Sequence, residues 1–118
     1  MKAKILVVED DAQNLYLTRF LLEQDGYEVI TAVDGLQAIE AAAQQPDLIL
    51  MDMLMPRMDG WTATKRIREQ YGDDLPIVAL TAYSMKGDRE SIIEVGCNGY
   101  IPKPIDVEDF CNQVEAFL

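Results

Sequence analysis

"LILMDMLMPRMDGW" (residues 48–61) decides how the chain is read. Four apolar residues, Leu48 to Met51, run without interruption into an acid, Asp52, and the sequence then breaks into Met-Pro and Asp-Gly turn signals. A short, continuously apolar run bounded by turn residues reads as a strand buried on both faces, as in a parallel sheet covered by helices. Such a strand ends by presenting a carboxylate, and that placement requires an explanation.

Working outward, the same alternation recurs. "KILVVED" (4–10), "EVITA" (28–32), "DLILMD" (47–52), "IVALTA" (77–82) and "GYIP" (99–102) are strand candidates, separated by segments of helical period. In 61–71, Ala63, Ile67 and Tyr71 share one stripe, and the last segment is expected to do the same with Val107, Phe110, Val114 and Phe117. Asp34 and Asp106 stand where N-caps belong; Gly26, Gly72 and Gly96 stand where helices end. Five strand-then-helix units predict an α/β fold with a five-stranded parallel sheet and five helices on both faces.

The 118 residues, 49% of them hydrophobic, suffice for one compact domain spanning 1–118. No strictly apolar run exceeds four residues, so neither a membrane span nor a secretory signal is drawn, and the expected compartment is the cytoplasm. Cys97 and Cys111 lack metal-ligand spacing and read as reduced, part-buried thiols. A formal charge of -11 argues against direct nucleic-acid binding and for a protein partner. The chain has no histidine, which excludes Ser-His-Asp and Cys-His nucleophile systems and His-ligated metals. Chemistry here must run on carboxylates, hydroxyls and lysine.

Open α/β sheets bind ligands at the carboxyl ends of their strands, near the point where strand order reverses. Those ends carry Glu9, Asp10 and Asp11 after the first strand, Asp52 at the third, Thr81 at the fourth and Lys103 just beyond the fifth. With strand order 2-1-3-4-5 the first and third strands are neighbours, and the acids converge. Taken singly, each residue has a plain structural reading: Asp52 as a turn or cap residue, Asp10-Asp11 as helix caps, Thr81 as a β-former, Lys103 as a solvated charge. Together the carboxylates repel one another unless a cation or a proton relieves them. Oxygen-only ligands, few of them from protein, suit Mg²⁺. A metal beside a carboxylate points to phosphoryl transfer onto Asp52 as nucleophile, with Lys103 and the Thr81 hydroxyl serving the phosphoryl oxygens.

These residues resemble the receiver domains of two-component response regulators. The resemblance covers the whole chain through "VVEDD", "LILMDMLMPRMDGW", "IVALTAYSMKGD" and "GYIPKPI" in order and spacing, and implies the flavodoxin-like receiver fold. It implies that Asp52 takes a phosphoryl group from a phosphohistidine, with Mg²⁺ held by Asp10, Asp52 and the backbone carbonyl of Leu54. Glu9 stands where Asp is commoner and is expected to reach the metal through water. The resemblance further implies a switch in which Thr81 moves toward the phosphoryl group and Tyr100 turns inward, remodelling the face of the fourth helix, fifth strand and fifth helix. It also implies a cis Lys103-Pro104 bond. The expected donor is a histidine kinase or histidine phosphotransfer protein, and the output a protein partner on that face, with no membrane involved. The motifs are most similar to single-domain receivers of the cell-division type and to receivers of hybrid kinases; a start at Met1 favours the stand-alone form without excluding the other.

Leu54 and Tyr83, two positions after Asp52 and Thr81, carry neither carboxylate nor amide to orient a hydrolytic water, so self-dephosphorylation is expected to be slow. An aspartyl-nucleophile phosphohydrolase would want a second acid at Leu54, and a flavodoxin-like cofactor carrier would want Ser, Thr and Gly where "EDDAQN" stands. A degenerate receiver acting only as an interaction module is the remaining alternative.

Overall fold

The structure is a computed structural model and describes residues 2–55, 57–82 and 86–118, the Lys86 side chain excepted. Among these, the elements run β1 (Lys4–Val8), α1 (Ala12–Gln24), β2 (Glu28–Ala32), α2 (Gly35–Ala41) continued by a 3₁₀ turn (Ala42–Gln44), β3 (Leu48–Asp52), α3 (Gly60–Tyr71), β4 (Ile77–Thr81), α4 (Lys86–Val95), β5 (Gly99–Pro102) and α5 (Phe110–Glu115). The sheet is parallel throughout in the order β2-β1-β3-β4-β5.

Consecutive strand residues feed opposite faces, so a central strand must be apolar at every position. Leu6, Val8, Ile49, Met51, Ile77 and Ala79 pack with Ala38, Ala63, Ile67 and Ile92 from α2, α3 and α4. Ile5, Val7, Leu48, Leu50, Val78, Leu80 and Ile101 pack with Leu22 from α1 and Phe110 and Val114 from α5. All five residues of β3 are buried, Asp52 included.

Helix boundaries follow the expected chemistry at most ends. Asp11, Asp34 and Asp59 cap α1, α2 and α3, each accepting backbone N–H bonds from the first turn. Gly26, Gly72 and Gly96 all take positive φ just beyond helix ends. The last helix departs from expectation. Asp106 caps a turn, its Oδ1 accepting from Glu108 N at 3.1 Å, and α5 begins only at Phe110. Val107 is 54% exposed and so drops out of the predicted stripe, because the turn ahead of α5 carries it away from the core.

Candidate functional site

β1 and β3 are adjacent and end together, Val8 pairing with Met51. Glu9 stays tied to the sheet by its N–H bond to Ala32 O at 3.0 Å and is 2% exposed. Asp10 is exposed beside it, and Asp11 is drawn off to cap α1 through Gln13 N and Asn14 N. Asp52, 4% exposed, closes β3, and Thr81 is buried at the end of β4. Lys103 N–H donates to Thr81 O at 2.9 Å, which carries β4–β5 pairing past the end of the strand, and the Lys103-Pro104 bond is cis.

The Lys103 ammonium bridges two acids. It lies 2.9 Å from Glu9 Oε2, 3.3 Å from Glu9 Oε1 and 3.2 Å from Asp52 Oδ1. Glu9, Asp10 and Asp52 each offer a carboxylate oxygen, and these atoms all lie within 4.8 Å of one another. One lysine does not neutralise three carboxylates. Burial pushes the Asp52 carboxyl above its usual range, the hydrogen bond and charge of Glu9 push it further, and Lys103 opposes them. Asp10, although exposed as a residue, is raised first by partial desolvation of its carboxyl beside these neighbours, then by the hydrogen bond and charge of Asp52. For Lys103, burial acts downward, but the bond to Glu9 and the charges of Asp52 and Glu9 outweigh it and the ammonium is held above its ordinary value.

Glycine at position 60 explains how α3 meets this edge. A Cβ there would fall 2.5 Å from Asp52 O and 2.7 Å from Met53 Cα, so the helix start lies directly against the strand end. Gly60 N–H donates to Met53 O at 3.1 Å, and Leu54 N–H donates to Asp52 Oδ1 at 3.2 Å. The Leu54 side chain is 58% exposed at the rim. An oxygen-only acidic cluster of this kind suits a hard divalent cation such as Mg²⁺.

The matching family model is the response regulator receiver domain, and it spans residues 5–115. The chain belongs to the response regulator receiver family. Among its relatives, the polar-differentiation response regulator DivK of Brucella anthropi is 41% identical, with all of this chain and 98% of the relative covered; DivK of Brucella ovis is 40% identical at the same coverage. Among solved structures, the Vibrio cholerae chemotaxis protein CheY4 superposes with a TM-score of 0.94 at 31% identity, covering all of both chains. The receiver domain of the sensor histidine kinase PA1611 from Pseudomonas aeruginosa superposes at 0.89 with 38% identity, covering 99% of this chain and 98% of that one; that structure has a magnesium ion coordinated in its active-site cleft. The chain is therefore a receiver of the two-component type, a signalling domain in which aspartyl phosphorylation is the general family role.

The structure brings Glu9, Asp10, Asp52 and Lys103 together and places Thr81 at the neighbouring strand end. Tyr100 pairs with Ala79, two residues before Thr81, and is half-buried with the Arg89 guanidinium 5.3 Å from its ring centroid. Tyr83 lies outside the described residues. Sequence reasoning treated Asp34 only as a cap and passed over Arg57, although the two form a 2.7 Å ion pair at the edge of the site. Nothing in local spacing signals a pair between separate turns. Arg89 was missed likewise, since its contact crosses from α4 to β5.

Proposed function

We propose that Asp52 accepts a phosphoryl group from a phosphohistidine on a histidine kinase or histidine phosphotransfer protein, and that the acylphosphate switches a protein-binding face. The observation that carries this reading is the buried Asp52 carboxylate at a strand end, clustered with Glu9 and Asp10 and touched by one ammonium. Mg²⁺ would be held by Asp10, Asp52 and the Leu54 backbone carbonyl, with Glu9 acting through water. Bound there, the ion would neutralise charge on the phosphoryl oxygens.

The chain's own groups do the rest. An Asp52 carboxylate oxygen attacks phosphorus as the phosphorus–nitrogen bond of the donor breaks, and the bonding pair leaves with the imidazole. Lys103, already 3.2 Å from Asp52, supports one phosphoryl oxygen by charge, and the Thr81 hydroxyl supports another by a hydrogen bond. Movement of Thr81 toward the new group opens space for Tyr100 to turn inward, which remodels the face of α4, β5 and α5 for an output protein. Coupling of this kind is typically worth about 1–3 kcal/mol.

Incubation with acetyl phosphate and Mg²⁺, read by intact mass, tests the chemistry. A single phosphoryl adduct that needs Mg²⁺ supports it; a folded protein that takes no adduct would favour the interaction module alone. Self-dephosphorylation is read as slow because Leu54 orients no water. Leu54→Asn should shorten the adduct's lifetime several-fold, and an unchanged decay would remove Leu54 from the explanation.

A further inference from the structure

Asp34 and Arg57 belong to two separate loops flanking the acid cluster, the β2–α2 turn and the β3–α3 loop. Arg57 Nη2 lies 2.7 Å from Asp34 Oδ2, and the Asp34 side chain is buried while that of Arg57 is largely exposed. The other Asp34 oxygen is used locally, accepting Gln37 N–H at 2.8 Å. Arg57 holds φ at +67°, a backbone state that side chains other than glycine and asparagine seldom adopt and that persists where the surroundings impose it. Beside the ion pair the first residue of α2 meets the β3–α3 loop without room for a side chain, since a Cβ on Gly35 would fall 2.7 Å from Met58 O and 2.8 Å from Met58 Cβ. On its near side the same loop donates Leu54 N–H to Asp52 Oδ1.

We infer that the Asp34–Arg57 ion pair tethers the β3–α3 loop to the β2–α2 turn and, through Leu54 N–H, fixes the direction in which the Asp52 carboxylate points. Arg57 is a positioning residue: it reaches none of the three clustered acids among its described ion pairs, and it acts by where it holds the loop. The inference rests on the reading of Asp52 as the phosphoryl acceptor of a Mg²⁺-dependent site.

Electrostatics and tethering predict opposite signs, which makes the idea testable. Removing a cation from the neighbourhood of a cation site should by charge alone tighten Mg²⁺ binding. Removing a tether should loosen the site and weaken it. Arg57→Gly is the chosen variant because glycine adopts the positive φ without strain, so the change is confined to the lost ion pair of Asp34. Calorimetric Mg²⁺ titration should show binding weakened by up to about tenfold, the lower end of the effect of residues that orient metal ligands. Amide exchange in the metal-free protein should show Leu54 N–H exchanging faster. Arg57→Lys, which keeps a charge, should recover part of both, and Asp34→Asn, which keeps the cap acceptor, should add nothing once Arg57 is glycine. Affinity equal to or tighter than wild type in Arg57→Gly overturns the tether. If the wild type itself binds no Mg²⁺, the reading of the site fails separately, and Leu54 exchange alone then decides: faster in Arg57→Gly keeps the tether, unchanged overturns it.

Discussion

At the amino edge of the sheet Arg68 donates to Gly96 O at 2.9 Å, Gly72 O at 3.1 Å, Leu75 O at 2.6 Å and Asn98 Oδ1 at 2.8 Å, whereas at the carboxyl edge Lys103 pairs with two of three clustered acids. The lower edge uses polar side chains to finish the fold. Asp47 Oδ2 accepts Lys4 N–H at 2.8 Å and Asn98 Oδ1 accepts Ile77 N–H at 2.9 Å, so side chains continue hydrogen bonding where strands stop. The upper edge buries carboxylates at some cost, since burial and mutual repulsion raise both Asp52 and Asp10. The same strands, read end to end, run from stability toward chemistry.

The largest effect expected from this contrast is at the lower edge. Arg68→Ala leaves several carbonyls without their donor and should destabilise the fold by roughly 2–4 kcal/mol, measured by urea unfolding. Phosphorylation by acetyl phosphate should survive wherever the variant remains folded. A loss of adduct in the folded variant would break the separation of the two edges.

At the upper edge the sign reverses. Asp52→Asn removes a carboxylate whose raised pKa marks unfavourable burial and repulsion, so without divalent cations it should stabilise the fold near neutral pH, on the order of 1 kcal/mol. A group with a raised folded pKa favours the fold below its ordinary value, 3.8 here, and loses that contribution as pH rises through the raised value. The gap between variant and wild type should therefore open as pH rises and close in acid. Mg²⁺ should stabilise the wild type by about 2.7 kcal/mol at a hundredfold excess over its dissociation constant and act much less on Asp52→Asn. Thermal melts over pH, with and without Mg²⁺, check both signs.

The smallest effect concerns the thiols. Burial pushes Cys97, beside Thr64 at the lower edge, up to about 11, while Cys111 is half-buried on α5 and raised mainly by burial. At pH 8 a thiol reagent should label Cys111 first and reach Cys97 only through opening of the fold. Arg68→Ala, which releases Gly96 next to Cys97, should speed that second step. Equal labelling rates in both proteins would contradict a stabilising lower edge.

Most of the fold was legible because its signals are local. A strand buried on two faces must be apolar throughout, as Leu48 to Met51 are, and caps and positive-φ glycines announce helix ends within a few residues. The cluster was legible because strand order, once fixed, dictates which ends are neighbours. The start of α5 was misplaced because Asp106 can cap a turn as readily as a helix, and only packing decides that Val107 faces out. Asp34–Arg57 and Arg89–Tyr100 were illegible because each pair joins elements whose approach is set by the assembled fold.

The most direct test traps the acceptor itself. After phosphorylation with acetyl phosphate and Mg²⁺, borohydride reduction converts an aspartyl phosphate to homoserine, and tandem mass spectrometry locates it. Homoserine at position 52 alone, absent when Mg²⁺ is withheld, is the predicted result. Homoserine at Asp10 or elsewhere with Asp52 intact, or none at all in protein that binds Mg²⁺, would contradict Asp52 as the phosphoryl acceptor.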